Sequence, residues 1–153
     1  MIQRPRFQPD ALAAILQAWR RAGDVECCGL LVGCRHAAAV RIVEAIEAPN
    51  VHPQPDRAFA IAPEVQAAAA RAARVRSLEV LGAWHGHLQG PPVPGRADAE
   101  NVMVQARVAG VPRWMVIIGR GAGTAPVVRC YVHADGVLRE TGLVSVRSGA
   151  GLR

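Results

Sequence analysis

The chain has 153 residues, 51% of them hydrophobic and 20% charged, which suits one domain with a real apolar core and excludes a disordered chain. No repeat dominates it, which excludes collagen-like and coiled-coil architectures, and no apolar run reaches the length of a membrane span. The net charge is +6 and lysine is absent, but the 18 arginines are dispersed and aromatics make up only 4%, so the charge reads as a solvated basic surface and not as a nucleic-acid footprint.

The opening segment, Met1 to Phe7, lacks the apolar region of a secretory signal, which points to the cytoplasm. Residues 10–22 read as a helix. Asp10 serves as N-cap, Leu12, Ile15, Leu16 and Trp19 recur at helical spacing, and Gly23 supplies a stop. Cys28–Gly33 is a continuous apolar run, as in a strand buried on both faces. Ala38–Ala48 reads as its hairpin partner, with Val40, Ile42 and Val43 favouring strand. Pro49–Pro55 is a proline-stiffened loop, and Ala60–Ile61 is expected as a brief strand. Pro63 suits the first turn of a helix reaching about Arg76, with Glu64 complementing the positive end of its dipole.

Leu78–Trp84 is a second buried strand, followed by a loop over residues 88–97. Asp98–Ala109 is helical in composition and Gly110 ends it. Trp114–Ile118 and Val127–Val132 are strands, Asp135-Gly136 is a hairpin turn, and Val137–Glu140 is the return strand. This order implies an α/β (α+β mixed) fold, a mixed sheet flanked by helices. The expected layout is one domain over residues 1–140 and a Gly/Ser-rich flexible tail over residues 141–153.

Cys27, Cys28, Cys34 and Cys130 are too few for a disulfide scaffold, and the first two are adjacent, so no CxxC pair exists. They read as reduced, mostly buried thiols. His36, His52 and His133 are lone histidines without ligand spacing. Trp84, Trp114, Met103 and Met115 read as core, and Pro91-Pro-Val-Pro94 as a stiffened loop.

Chemistry concentrates at Trp84-His85-Gly86-His87, followed after ten residues by Asp98. In an extended chain residues i and i+2 share a face, so His85 and His87 aim at one point. Two imidazoles and a carboxylate suit zinc, and three protein ligands leave a fourth position for water, as in a catalytic site. Spacing alone leaves a hydrogen-bonded pair of strand-end histidines as an equal alternative. A carboxylate outside the metal shell is also needed to carry a proton. Glu26, Glu44, Glu47, Glu79 and Glu100 are the candidates, and spacing does not choose among them. Glu26 stands out only because it precedes the buried Cys28–Gly33 run.

Glu26-Cys-Cys-Gly-Leu-Leu-Val-Gly33 together with His85-Gly-His87 and Asp98 resembles the JAB/MPN (JAMM) metallopeptidases. The similarity is greatest to the small bacterial branch that processes ubiquitin-like sulfur-carrier proteins. Asn50, Pro55, Phe59, Pro63 and Glu79-Val-Leu-Gly82 also fit, and the match spans about residues 10–134. The resemblance implies a JAB/MPN (cytidine-deaminase-like) fold and a zinc ion held by His85, His87 and Asp98. It implies that Glu26 holds and deprotonates the attacking water. The implied reaction is hydrolysis of a peptide or isopeptide bond at the C-terminal tail of a carrier ending in Gly-Gly.

Three positions depart from the family pattern. Gly86 replaces a small polar residue, Leu88 replaces proline, and Gly95 stands where a serine helps stabilise the oxyanion. Losing one such donor costs about 3–4 kcal/mol, on the order of 10²–10³ in rate. The departures motivate a second reading, a non-catalytic module that binds a ubiquitin-like carrier or complex partner. A third reading is nucleic-acid-associated, because Gly90-x-Pro92-x-Pro94-x-Arg96-Ala-Asp98 resembles the RadC-like relatives. A zinc nucleoside deaminase is disfavoured, since its His-x-Glu and Pro-Cys-x-x-Cys signature is absent.

Overall fold

The computed structural model describes residues 4–37, 39–95, 113–123, 125–134 and 137–144. The elements, in chain order, are β1 (Arg6–Phe7), α1 (Pro9–Arg21), β2 (Cys28–His36), β3 (Ala39–Ala48), α2 (Pro63–Val75), β4 (Glu79–Gly86), β5 (Arg113–Arg120), β6 (Pro126–Ala134) and β7 (Val137–Val144). The strands form one mixed sheet in the order β1-β3-β2-β4-β5-β6-β7.

Helix α1 begins one residue earlier than the sequence implies, for a local reason. Pro9 occupies the first turn, where its missing N–H is not needed, so Gln8 and not Asp10 is the N-cap. Gln8 makes no side-chain cap bond, and Asp10 instead places its carboxylate within the first turn, against the positive end of the dipole. Helix α2 starts at Pro63 as expected, with Glu64 in its first turn. It ends where Ser77 adopts a left-handed conformation with φ of 57°.

The two helices cover opposite faces of the sheet. Ala11, Ile15, Leu16 and Ala18 of α1 pack with Leu31, Ile42, Leu81, Trp84, Val116 and Ile118. Ala69 of α2 packs with Cys28, Leu30, Ala83, Met115, Ile117 and with Phe59 and Ile61 of the loop before it. Neighbouring residues of β2, β4 and β5 thus alternate between two cores, which is why these strands read as continuous apolar runs. Each fully buried Ile or Leu in these layers contributes roughly 1.5–3 kcal/mol.

Strands β2 and β3 form the expected antiparallel hairpin, but β2 runs to His36 and slips register against β3 at Val32/Gly33. Strand β1, which composition does not signal, pairs in parallel with β3, and Gln8 N–H continues the ladder to Ile42 O at 2.8 Å. Ala60–Ile61 is not a strand. Its backbone is bonded instead by Val51 N–H to Ala60 O at 2.9 Å, by Ala60 N–H to Asn50 Oδ1 at 3.1 Å and by Gln66 Nε2–H to Ile61 O at 2.9 Å. Strand β7 pairs with β6 and runs to Val144, four residues beyond the expected Glu140 and into the stretch read as tail. The helix expected over Asp98–Ala109 lies outside the described residues. Strands β4 and β5 pair in parallel.

Among the described residues no helix is long and apolar enough to cross a membrane. All four cysteines are free thiols, Cys28 and Cys130 buried and Cys27 and Cys34 half-buried.

Candidate functional site

Strands β4 and β5 run side by side in parallel and end at Gly86 and Arg120. Crevices at the carboxyl ends of parallel strands are the usual ligand positions in open α/β sheets. The His85-Gly86-His87 segment lies at that end. His85 is fully buried, while His87, one residue past the strand, is half-buried. Antiparallel register pairs Cys28 with His85, and Gly86 N–H donates to Cys27 O at 2.9 Å. One further step sets Glu26 opposite His87. Cys28, His85 and His87 therefore share the face of the sheet that α2 and the loop before it cover, and extending the register by one residue assigns Glu26 to it.

The two imidazoles converge. Nε2 of His85 lies 3.2 Å from Nε2 of His87, with ring centroids 5.1 Å apart and planes inclined by 53°. Tetrahedral zinc with Zn–N bonds of about 2.0–2.1 Å holds two ligand nitrogens about 3.3 Å apart. The observed separation fits that edge and equally fits a hydrogen bond between the two rings, the alternative that spacing leaves open. Nδ1 of His87 lies 2.9 Å from the carbonyl oxygen of Pro91. A carbonyl only accepts, so Nδ1 carries the hydrogen, and in the neutral ring the Nε2 lone pair faces the site. That is the usual outer-shell arrangement of a metal-binding histidine.

The loops support this geometry. The Phe59 ring stacks on His85, centroids 4.5 Å apart and planes 19° from parallel. Phe59 is brought there by the loop over residues 49–61, whose hub is Asn50. Asn50 Nδ2 donates to Glu26 O at 3.0 Å, Ala58 O at 2.9 Å and Pro55 O at 3.3 Å. Its Oδ1 accepts from His52 N–H and Ala60 N–H, each at 3.1 Å. Glu26 N–H donates to Pro55 O at 2.8 Å, so the same loop grips the glutamate from both sides. The loop after His87 is anchored as well. Arg120 N–H donates to Gly90 O at 2.8 Å, and Tyr131 Oη–H to Pro92 O at 2.7 Å.

The candidate proton carriers among the described residues differ in their surroundings. Glu44, Glu47 and Glu79 are engaged in surface ion pairs with Arg76, Arg21 and Arg35 at 2.5, 2.7 and 2.6 Å. Glu26 is buried, 7% exposed. Glu100 lies outside the described residues. Burial, and then Glu47, pushes the Cys27 thiol up to about 11. Burial, then Cys27 and Glu26, pushes that of Cys28 up to about 12. Neither is a thiolate near neutral pH, so neither is a ready nucleophile.

Of the expected site residues, His85 and His87 are brought together, and Glu26 is buried two residues before Cys28, the strand partner of His85. Gly95 is described and exposed, at the end of the anchored loop. Asp98 lies outside the described residues. Among the described residues no group of three His, Cys, Asp or Glu side chains surrounds one metal position; the histidine pair supplies two of the three expected ligands. The lone histidines take no part in the pair. His52 Nδ1 accepts from Gln54 N–H at 2.9 Å, His36 is exposed at the far end of β2, and His133 is buried in β6. Sequence spacing alone misses the stack of Phe59, the hub at Asn50 and the Pro91 carbonyl. Only the clustering of Asn and Pro in the loop hints at the hub.

Known proteins agree with this architecture. A solution structure of protein DSY2949 from Desulfitobacterium hafniense superposes with a TM-score of 0.72 at 22% identity, covering 90% of this chain and 89% of that one. A solution structure of a protein from Salinibacter ruber superposes with a TM-score of 0.62 at 22% identity, covering 96% of this chain and 95% of that one. At this identity the likeness establishes the fold. No curated protein matches the sequence. The family model for prokaryotic homologs of the JAB domain matches residues 8–132, which includes Glu26, the histidine pair and the Asp98 position. The chain therefore belongs to the prokaryotic JAB-domain family.

Proposed function

We propose that this protein is a zinc-dependent peptidase acting in the cytoplasm. It hydrolyses a peptide or isopeptide bond at the C-terminal tail of a ubiquitin-like or sulfur-carrier protein ending in Gly-Gly. The JAB family includes metalloproteases and is often zinc-dependent. The observation that carries the reading is the convergent pair, His85 Nε2 and His87 Nε2 at 3.2 Å, with His87 Nδ1 tied to the Pro91 carbonyl. In this reading His85, His87 and Asp98 hold the ion. When bound, zinc supplies Lewis acidity toward the scissile carbonyl and makes water a competent nucleophile near neutral pH.

The chain's own residues do the rest. Glu26, across the ladder from His87, takes a proton at its carboxylate and returns it to the leaving amine. Phe59 covers one face of His85 and keeps water from that side. Gly95 brings no hydroxyl to the oxyanion, which slows turnover by the 10²–10³ given above and supports the second reading, a carrier-binding module without catalysis.

Zinc content and turnover test the proposal. The native chain is expected to hold near one zinc, and Asp98→Ala little. A carrier with a tail extended beyond Gly-Gly is expected to be cleaved, and Glu26→Gln to retain zinc but lose cleavage. Zinc with tight carrier binding and no cleavage would select the binding module. No zinc in the native chain under reducing conditions, or cleavage unchanged in Glu26→Gln, would overturn the peptidase reading.

A further inference from the structure

The segment that carries the two histidines is held from the opposite face of the sheet by a residue that takes no part in the chemistry above. Trp19 lies in the last two turns of α1, half-buried, with its ring against the α1-side core. Its indole Nε1–H donates to the carbonyl oxygen of His87 at 3.0 Å. The approach requires glycine at position 86. A Cβ there would stand 2.7 Å from Trp19 Cδ1, 2.7 Å from Cys27 Sγ and 3.3 Å from Ile118 Cγ2. The indole thus occupies the space that a side chain between the histidines would fill. The outer side of the ring is capped by Arg120, its guanidinium carbon 5.2 Å from the ring centroid. Arg120 N–H in turn holds Gly90 O, and His87 N–H holds Ile118 O at 2.8 Å.

These contacts close on one another. His87 is bonded at its ring to Pro91, at its N–H to Ile118 and at its carbonyl to Trp19. Both ends of the Gly90–Pro91 segment are therefore tied to the β5 end that Trp19 and Arg120 cap. His87 lies one residue past the last strand residue; its N–H still reaches Ile118 O of β5, and its carbonyl is taken by the indole. The indole thus fixes the carbonyl side of His87 and β5 its N–H side.

We infer that Trp19 is a positioning residue for the candidate metal centre. It fixes the His87 backbone through the indole N–H, and Gly86 is glycine to admit it. The inference rests on the proposed zinc site for its functional consequence, but its structural content does not.

The test uses Trp19→Phe, which keeps an aromatic ring on α1 and removes the N–H donor. Gly86→Ala, which pushes against the indole, is the second variant. Outer-shell partners of metal-binding histidines typically change affinity by 10–100-fold. Trp19 acts on the backbone and not on the ring, so a loss of about 10-fold in zinc affinity is expected for Trp19→Phe, read by competition with a chromophoric chelator. The two substitutions release the same clamp, so the double variant is expected to lose less than the product of the single losses. Urea unfolding of each variant separates a loss of fold from a loss of site.

A second readout needs no metal. In zinc-free protein the His87 ring resonances are expected to shift and broaden in Trp19→Phe, while those of His36 stay in place. Unchanged His87 resonances in a folded Trp19→Phe variant, or zinc affinity within twofold of native, overturn the positioning role. If the native chain binds no zinc, the peptidase reading fails and the His87 resonances still decide the positioning role by themselves.

Discussion

Replacing Asn50 with alanine probes the frame around Glu26 and Phe59 without touching a group assigned to chemistry. The Asn50 side chain makes five contacts, three donated by Nδ2 and two accepted by Oδ1. Nδ2 has two hydrogens, so its three contacts count as two full bonds with one shared. Four effective bonds at a net 0.5–1 kcal/mol each give a loss of about 2–4 kcal/mol. The site is half-buried, so water reaches part of the exposed backbone and the full desolvation penalty does not apply. In a chain of this size the loss lowers Tm by roughly 2–4 °C per kcal/mol. Urea unfolding gives the free energy directly, provided the slope is unchanged. The loop is expected to loosen as well, so Asn50→Ala should become sensitive to limited proteolysis between Pro49 and Ile61. Asn50→Asp should be no better, since a carboxylate would face the Glu26, Pro55 and Ala58 carbonyls with no donor. A loss below about 0.5 kcal/mol in Asn50→Ala, the range of an ordinary surface change, would refute the hub argument.

Other outcomes follow from the same geometry. Phe59→Ala removes a ring 4% exposed and is expected to cost about 3–5 kcal/mol in urea unfolding, whereas Phe59→Leu should recover most of that stability but not the flat stack on His85. Gly82→Ala places a Cβ 1.8 Å from Trp114 O across the β4–β5 pair and should cost about 3 kcal/mol or more; expression as a stable, native-like protein would argue against that close approach. Burial, only partly offset by a bond with Thr141, pushes the Cys130 thiol up to about 12 from 9.0. The folded thiol thus stays protonated where the unfolded one ionises. Its contribution is fully present below pH 9 and is lost as pH rises from about 9 to 12, with a slope of at most about 1.4 kcal/mol per pH unit. Unfolding measured from pH 8 to 10.5 should show less decline in Cys130→Ala than in the native chain, and an equal decline would contradict the buried-thiol account. Gly95→Ser tests the oxyanion deficit: kcat is expected to rise by an order of magnitude or more with KM little changed, measured on the same extended-tail carrier.

The residue pattern was informative where one local rule acted alone. Pro63 with Glu64 marked the start of α2, and the apolar run from Cys28 marked β2, because first-turn chemistry and two-sided burial leave a signature in few residues. It misled where two rules competed. Asp10 is a good N-cap residue, but Pro9 beside it suits the first turn and moves the helix start upstream. Ala60–Ile61 looked like strand because its residues suit one, yet no neighbouring strand is there to pair with, and Asn50 satisfies that backbone instead. Two-residue β1 leaves no sequence signal, since it is held by edge pairing with β3 and by Phe7 on the α1-side core, both distant in sequence.

By itself the sequence determined that the chain is a mixed α/β domain of the JAB family and that His85 and His87 share a face, since alternation along a strand needs no neighbours. Glu26 emerged from spacing as one of five candidates. Only the tertiary structure showed it buried while tying Glu44, Glu47 and Glu79 to surface arginines. Only the tertiary structure brought Phe59 onto His85, Pro91 onto His87 and Trp19 beneath Gly86. The reason is physical. Local backbone preference acts over a few residues, whereas register, stacking and the approach of an indole to a glycine arise from the packing of segments tens of residues apart.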